Sequence, residues 1–261
     1  MEGMKKAAEV LAPYLRNTKN LPPICGDDPS TRPVYKCQKC HDLEWLHPTG
    51  VDGRPCYNQA VPCECLKSRL QQKIASPEYQ RERGGRASQT FDNFEVNIRG
   101  GNRDARDAAK AWTTANADFI WLLVYGGTGN GKSHLCNAAL AELLKRSIGA
   151  KLVTASRILS ELRVGMSDHT TDAVMAEYQQ IAALIVDDIG AGMKHPSEKG
   201  SEWEWARIEE LLVFRYENVM PTFCTTNLQP SDLPERILSR FKDGELSRIV
   251  HNAAGDHRET K

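Results

Sequence analysis

Short apolar runs alternate with longer amphipathic stretches along the last two thirds of this 261-residue chain. The runs predict strands at 119–125 (FIWLLVY), 151–155 (KLVTA), 183–187 (ALIVD), 221–226 (PTFCTT) and 246–250 (LSRIV). The stretches around them predict helices at 131–147, 156–165, 171–181, 202–219 and 231–241. Strand and helix in strict alternation are the signature of a parallel sheet flanked by crossover helices, an α/β fold. The first third reads differently. Residues 1–20 carry Val10, Leu11, Tyr14 and Leu15 at roughly helical spacing, with Pro13 shortening or kinking the helix. Residues 21–34 are rich in Pro and Asp and read as linker, with a cysteine-rich module following at 35–66. Residues 67–89 are polar, mostly basic and broken by Gly84 and Gly85, so they read as a second linker, and a domain spans 90–261.

Composition narrows this picture. At 40% hydrophobic residues the chain can build an ordinary core, and its formal net charge of zero supplies no global attraction to nucleic acid. Its longest apolar run, FIWLLVY, is far short of the roughly 20 residues that span a bilayer. No charged start followed by an apolar run reads as a signal peptide, so a soluble, cytoplasmic protein with no membrane partner is expected. Of eight cysteines, Cys25, Cys37, Cys40, Cys56, Cys63 and Cys65 crowd the first quarter. In a reducing compartment such clustering points to metal rather than to disulfides.

The chemistry begins at Gly126-Gly127-Thr128-Gly129-Asn130-Gly131-Lys132-Ser133, which fits G-x-x-x-x-G-K-[ST] between a predicted strand and a predicted helix. The glycines let backbone N–H groups turn inward around a phosphate. Lys132 should reach the β- and γ-phosphates of ATP, and the Ser133 hydroxyl should ligate Mg²⁺. The helix N-terminus adds partial positive charge. ALIVDDIG then ends a strand in two acids: Asp187 should hold the Mg²⁺ through water, and Asp188 should orient the attacking water. At the polar tip of PTFCTTNL, Asn227 is a candidate for the γ-phosphate or its water; alone it reads equally as a turn former before Pro230 and Ser231.

These motifs, in this order, resemble the AAA+ ATPase domain of the DnaA/DnaC clade over residues 88–258. In QTFDNFEV, Phe91, Asn93 and Phe94 match the segment that frames the adenine in that clade, with Val96 a pocket neighbour; His134 joins the expected nucleotide set. PTFCTTNL resembles the sensor-1 strand. LPERILSRF resembles the box VII region, which makes Arg240 the first candidate, and Arg236 the second, for an arginine supplied to the neighbouring subunit's nucleotide. The resemblance thus implies self-association through the AAA+ domain. The terminal GDHR resembles the D-x-Y-R ending of DnaC-type loaders, with Arg258 as the sensor-2 arginine, although His257 replaces the usual aromatic. Arg215 matches a loader-like stretch with an interfacial role. The chain stops shortly after box VII, without room for the lid and DNA-reading domain of an initiator. That leaves helicase loaders (DnaC, DnaI) and, as the alternative, IstB-like transposition ATPases acting on duplex DNA.

In the cysteine module, Cys37-x-x-Cys40 and Cys63-x-Cys65 suit tetrahedral Zn²⁺. Cys56, His41 and His47 are rival ligands, Cys25 lies outside, and Cys136 and Cys224 read as core residues. A redox switch is the alternative for the module as a whole. Zinc module, linker and ATPase follow in the order of the DnaI-type loader, whose zinc domain contacts a replicative helicase hexamer. Local basic residues are Lys67, Arg69, Lys73, Arg81, Arg83 and Arg86 in the linker and Arg157 and Arg163 on one predicted helix; the resemblance makes Arg157 and Arg163 the candidates for single-stranded DNA. The function expected is therefore an ATP-dependent loader that places a hexameric helicase on single-stranded DNA. A small-molecule kinase would share the phosphate loop, but Asn227, the box VII arginines and the cysteine module would then have no use. A nucleotide-gated adaptor without turnover is the non-enzymatic rival.

Overall fold

In a computed structural model, which describes residues 35–43, 45–47, 61–96, 101–114 and 117–256, the five expected strands form one parallel sheet. The expected helix at 1–20 and linker at 21–34 lie outside the described residues, as do Cys25, Cys56, His257 and Arg258. The chain divides into two compact units, one ending at Cys63 and one starting at Glu64.

In the first unit, β1 (Trp45–Leu46) pairs antiparallel with β2 (Val61–Pro62). A tight turn precedes β1. His41 N–H donates to Cys37 O at 2.9 Å, and Leu43 N–H to Cys40 O at 3.0 Å. The Asp42 carboxylate locks this turn by accepting the N–H groups of Cys37 (2.8 Å) and Lys36 (3.1 Å). Those two backbone bonds hold its carboxyl below the usual range.

The second unit opens with two helices, α1 (Glu64–Ala75) and α2 (Pro77–Glu82). This corrects the reading of 67–89 as a linker. Ser76 caps α2 by accepting the Tyr79 N–H, Pro77 occupies its first turn, and Ile74 and Tyr79 pack onto the core of the ATPase body. Leu66, Leu70 and Ile74 do stand at helical spacing, but the charge around them and Gly84-Gly85 gave the stretch the look of a linker. A further helix, α3 (Arg103–Trp112), was not among those predicted; it buries Ala105, Ala108, Ala109 and Trp112.

Then follow β3 (Trp121–Tyr125), α4 (Lys132–Lys145), β4 (Ala150–Thr154), α5 (Ala155–Asp168), α6 (Thr171–Gln180), β5 (Ala183–Ile189), α7 (Glu202–Glu217), β6 (Thr222–Thr226), α8 (Glu235–Phe241) and β7 (Ser247–His251). α5 runs past its predicted end at 165. The predicted helix 231–241 splits into a 3-10 turn, Pro230–Asp232, and α8, because Pro234 sits at the α8 N-cap.

The strand order is β4-β5-β6-β3-β7. Because both faces are covered, the strands are apolar at consecutive positions. Leu122, Val124, Ile185 and Phe223 face α3 and α4, while Trp121, Leu123, Leu184, Val186 and Cys224 face α5, α6, α7 and α8. Cys136 and Cys224 are wholly buried, as core residues should be. With all strands parallel, their C-terminal ends gather at one edge of the sheet, where such folds bind ligands. Among the described residues no helix is long and apolar enough to cross a membrane.

Candidate functional site

The strand ends build a cleft of about 460 Å³. Its lining includes Thr128 to His134 of the glycine loop together with Asp188 and Asn227. Gly131, at φ 93°, is the N-cap of α4 and sets Lys132 as its first residue. A side chain at Gly131 would meet the Phe94 ring at 2.8 Å. Gly126, at φ 148°, lies against the Asn252 carbonyl, and Gly129, at φ 68°, lies against the Asp256 carboxylate. These are positive-φ conformations and close approaches that favour glycine.

Lys132 is 7% exposed. Its Nζ donates to Gly126 O (2.8 Å), Gly127 O (2.6 Å) and Asn130 Oδ1 (3.1 Å), so the ammonium sits inside the loop's curl. Burial pushes its pKa down, while Asp188 and Asp187 pull it back up. Asp187 is 9% exposed and its Oδ1 accepts from Thr225 Oγ1 at 2.5 Å. Asp188, at φ 61°, accepts from Asn227 Nδ2 at 2.7 Å. Burial and the neighbouring Asp187 hold its carboxyl above the usual range, with Lys132 acting in the opposite direction. The ammonium, the Asp188 carboxylate and the Asn227 amide thus line one cleft, and Asp187 lines the adjoining cavity with Ser133, a donor set that fits a triphosphate with Mg²⁺.

Phe91 and Phe94 are buried, and Phe94 meets the His134 ring edge-on at 5.2 Å. His134 Nε2 lies 2.8 Å from Thr90 O and 3.1 Å from Asn93 Oδ1. Val96 packs against the same core. The TFDNF segment is therefore pinned to the first turn of α4. Four residues escaped sequence reasoning. Arg86, counted only as a linker charge, and Gln89 line the cleft. Asn252 is fully buried and exchanges two 2.9 Å hydrogen bonds with Asn130, side chain to backbone in each direction. Thr225 touches both acids. Only the S/T-rich tip of β6 hints at the last of these in the sequence.

Arg236 and Arg240 do not line the cleft. Arg236 pairs with Glu209. Arg240 donates to Arg236 O at 2.6 Å and lies over the Tyr216 ring at 5.6 Å. Arg215, expected at an interface, is instead fully buried and holds carbonyls inside the domain. Of the local basic residues, Lys67, Arg81, Arg157 and Arg163 each carry a carboxylate partner.

The profile of the bacterial DnaA ATPase domain matches residues 86–246, more than half of the chain. The chain belongs to the bacterial DnaA ATPase-domain family. It is 31% identical over 169 residues to the chromosomal replication initiator DnaA of Streptococcus equi subsp. zooepidemicus, a match covering 62% of this chain and 36% of the relative. It is 26% identical over 191 residues to that of Latilactobacillus sakei, covering 70% and 41%. The chain thus spans well under half the length of these relatives. The fold is shared with AMPPCP-bound DnaA from Aquifex aeolicus (23% identity, TM-score 0.53, 62% of this chain and 49% of that one). It is shared also with the DnaC helicase loader (21%, TM-score 0.52, 63% and 96%) and with DnaI (20%, TM-score 0.51, 65% and 90%). The β4-β5-β6-β3-β7 sheet is therefore that of a DnaA-type AAA+ ATPase domain.

Ahead of the DnaA-type domain stands the second candidate site. One ligand atom from each of Cys37, Cys40, Cys63 and Cys65 lies within 4.8 Å of all the others. Cys37 Sγ and Cys63 Sγ are 3.8 Å apart. A tetrahedral zinc with Zn–S bonds of about 2.3 Å requires S···S edges of roughly 3.8 Å, so the thiol set fits that ion. Among the described residues no His, Asp or Glu belongs to this group, and His41 stacks on Tyr35 instead.

Proposed function

We propose that this chain is an ATP-driven loader that places a hexameric replicative helicase on single-stranded DNA, with zinc organising its N-terminal docking module. The observation that carries this reading is the thiol tetrad ahead of a DnaA-type ATPase domain. A closed four-thiolate site leaves no open coordination position for chemistry, so its role is to fold a small surface that has little core of its own. Loading is the task of the DnaC protein that shares the fold.

In this reading Lys132 and the backbone N–H groups of residues 127–133 bind the phosphates. Ser133 and Asp187, which line one cavity, would hold Mg²⁺, and the ion would neutralise charge on the triphosphate. Asp188, fixed by Asn227, orients the attacking water and takes its proton. Phe91, Asn93, Phe94 and His134 frame the base. Arg240, with Arg236 one turn earlier, serves the nucleotide of a neighbouring copy, and Arg258 completes the site from within the chain. That Arg236 and Arg240 do not line the cleft suits a group supplied in trans.

The test is size-exclusion chromatography with light scattering, mixing the full chain with the replicative helicase of the same organism, with and without ATP. A joint complex that a Cys37→Ser/Cys40→Ser variant loses, while still binding ATP, is expected. No complex in any nucleotide state, with filaments on duplex DNA instead, would replace the loader reading with that of a transposition ATPase.

A further inference from the structure

The two acids stand at a break in the sheet. β5 pairs with β6 as Leu184↔Thr222, Ile185↔Phe223 and Val186↔Cys224, and pairing resumes only at Ile189↔Thr226. Asp187 and Asp188 therefore oppose a single residue, Thr225: a β-bulge. A regular strand would send successive side chains to opposite faces. The bulge, with Asp188 at φ 61°, lets both carboxylates act on Lys132. It also interrupts the ladder at the Asp188 N–H.

We propose that Thr225 is the positioning residue of the acidic pair. Its buried hydroxyl accepts the Asp188 N–H at 2.8 Å and donates its own proton to Asp187 Oδ1 at 2.5 Å. A hydroxyl is one of the few groups that can do both at once. One bond fixes the backbone that aims Asp188 at Asn227. The other occupies Oδ1 of Asp187, which would leave Oδ2 for a bound cation. Cys136 Sγ reaches the same Oδ1 at 3.6 Å, a weaker donor that supports this orientation. Thr225 does not line the cleft; it acts through the two acids.

The experiment compares Thr225→Val, which keeps the shape and removes the hydroxyl, with Thr225→Ser, which keeps the hydroxyl. ATP affinity is measured in EDTA and in Mg²⁺, and turnover alongside. Thr225→Val is expected to bind ATP in EDTA like the wild type. It should lose about 10–100-fold of the Mg²⁺-dependent gain in affinity and a similar factor in turnover, the usual cost of removing a group that orients a metal ligand. Thr225→Ser should restore both. An unchanged Mg²⁺ response in Thr225→Val would overturn the assignment. So would equal losses in EDTA and Mg²⁺, or a serine variant as impaired as the valine one. Neither affinity nor turnover is read with a helicase present, so failure of the loader reading leaves the outcome intact.

Discussion

Arg215 offers the sharpest test of how this domain is held together. It is 0% exposed and faces no carboxylate among its hydrogen-bond partners. Its Nη1 donates to Tyr178 O (3.0 Å), Gln179 O (3.1 Å) and Ile181 O (2.8 Å), its Nη2 to Pro221 O (2.7 Å), and its Nε to Thr222 Oγ1 (3.0 Å). The first three carbonyls belong to the end of α6, where an α-helix leaves its last C=O groups without partners and its dipole is negative. In Arg215→Met, Pro221 O keeps the Leu184 N–H and Thr222 keeps Met220 O, so three carbonyls are left unsatisfied. Each costs about 1–3 kcal/mol when buried. Against this stands the relief of a desolvated charge. Burial brings the guanidinium down to about 10, which corresponds to roughly 3 kcal/mol. The net expectation is a loss of about 3 kcal/mol, or roughly 6–12 °C in Tm for a domain of this size. Arg215→Lys, with three donors on a point charge, should fall between the two. Urea unfolding followed by circular dichroism, at unchanged m-value, reads the difference. A methionine variant as stable as the wild type would refute the reasoning: the buried charge would then cost as much as its bonds return, as some buried ion pairs do.

Three further expectations follow from the site and its surroundings. Asp188→Asn removes a carboxylate that burial and Asp187 disfavour, so Tm of the chain alone should rise while turnover falls by about 10²–10⁴-fold, the range for a lost general base; calorimetry and a phosphate-release assay check both. Burial raises Glu161, yet the Tyr178 hydroxyl and the Arg157 guanidinium together bring it below its ordinary 4.5. Its stabilisation is therefore present above that value and lost as pH falls through the lowered folded pKa. Urea titrations should find Glu161→Gln less stable at neutral pH by about 0.5–1 kcal/mol, discounted for partial exposure, and level with the wild type in strong acid. Elemental analysis of the purified chain should find one zinc per molecule, lost in Cys63→Ser, with ATP affinity unchanged.

Motifs were legible where chemistry fixes residue type and spacing together. The glycine loop, Asp187, Asp188 and Asn227 were found because a strand–loop–helix frame surrounds them, and four thiols at two short spacings allow few other readings. Arg86, Thr225 and Asn252 were not legible. Each matters through a partner distant in sequence: Arg86 N–H to Asn137 Oδ1, Thr225 to Asp187, Asn252 to Asn130. Nothing local distinguishes them from a linker charge, a strand threonine or a turn asparagine. Arg215 illustrates the same limit from the other side. A motif match suggested an interfacial role, whereas only the fold brings the end of α6 and the start of β6 around it.

The segment after α2 shows how a local signal can carry two opposite meanings. Gly84-Gly85 in a polar, basic stretch reads as a breaker between domains. In the fold, β4 is an edge strand of the sheet. Its Leu152 N–H donates to Arg83 O at 2.9 Å, and a Cβ on Gly84, at φ 87°, would lie 2.0 Å from Leu152 O. A Cβ on Gly85 would lie 2.5 Å from Leu140 Cδ2. The glycines thus permit the backbone to press onto β4 and onto α4, covering part of an edge that would otherwise present unpaired groups. Just beyond this contact, Arg86 and Gln89 line the nucleotide cleft. A stretch that looks like a flexible tether is therefore a fixed part of the ATPase body. α1 and α2 belong to that body too: their residues Ile74 and Tyr79 are packed against the same core as the phosphate-loop helix.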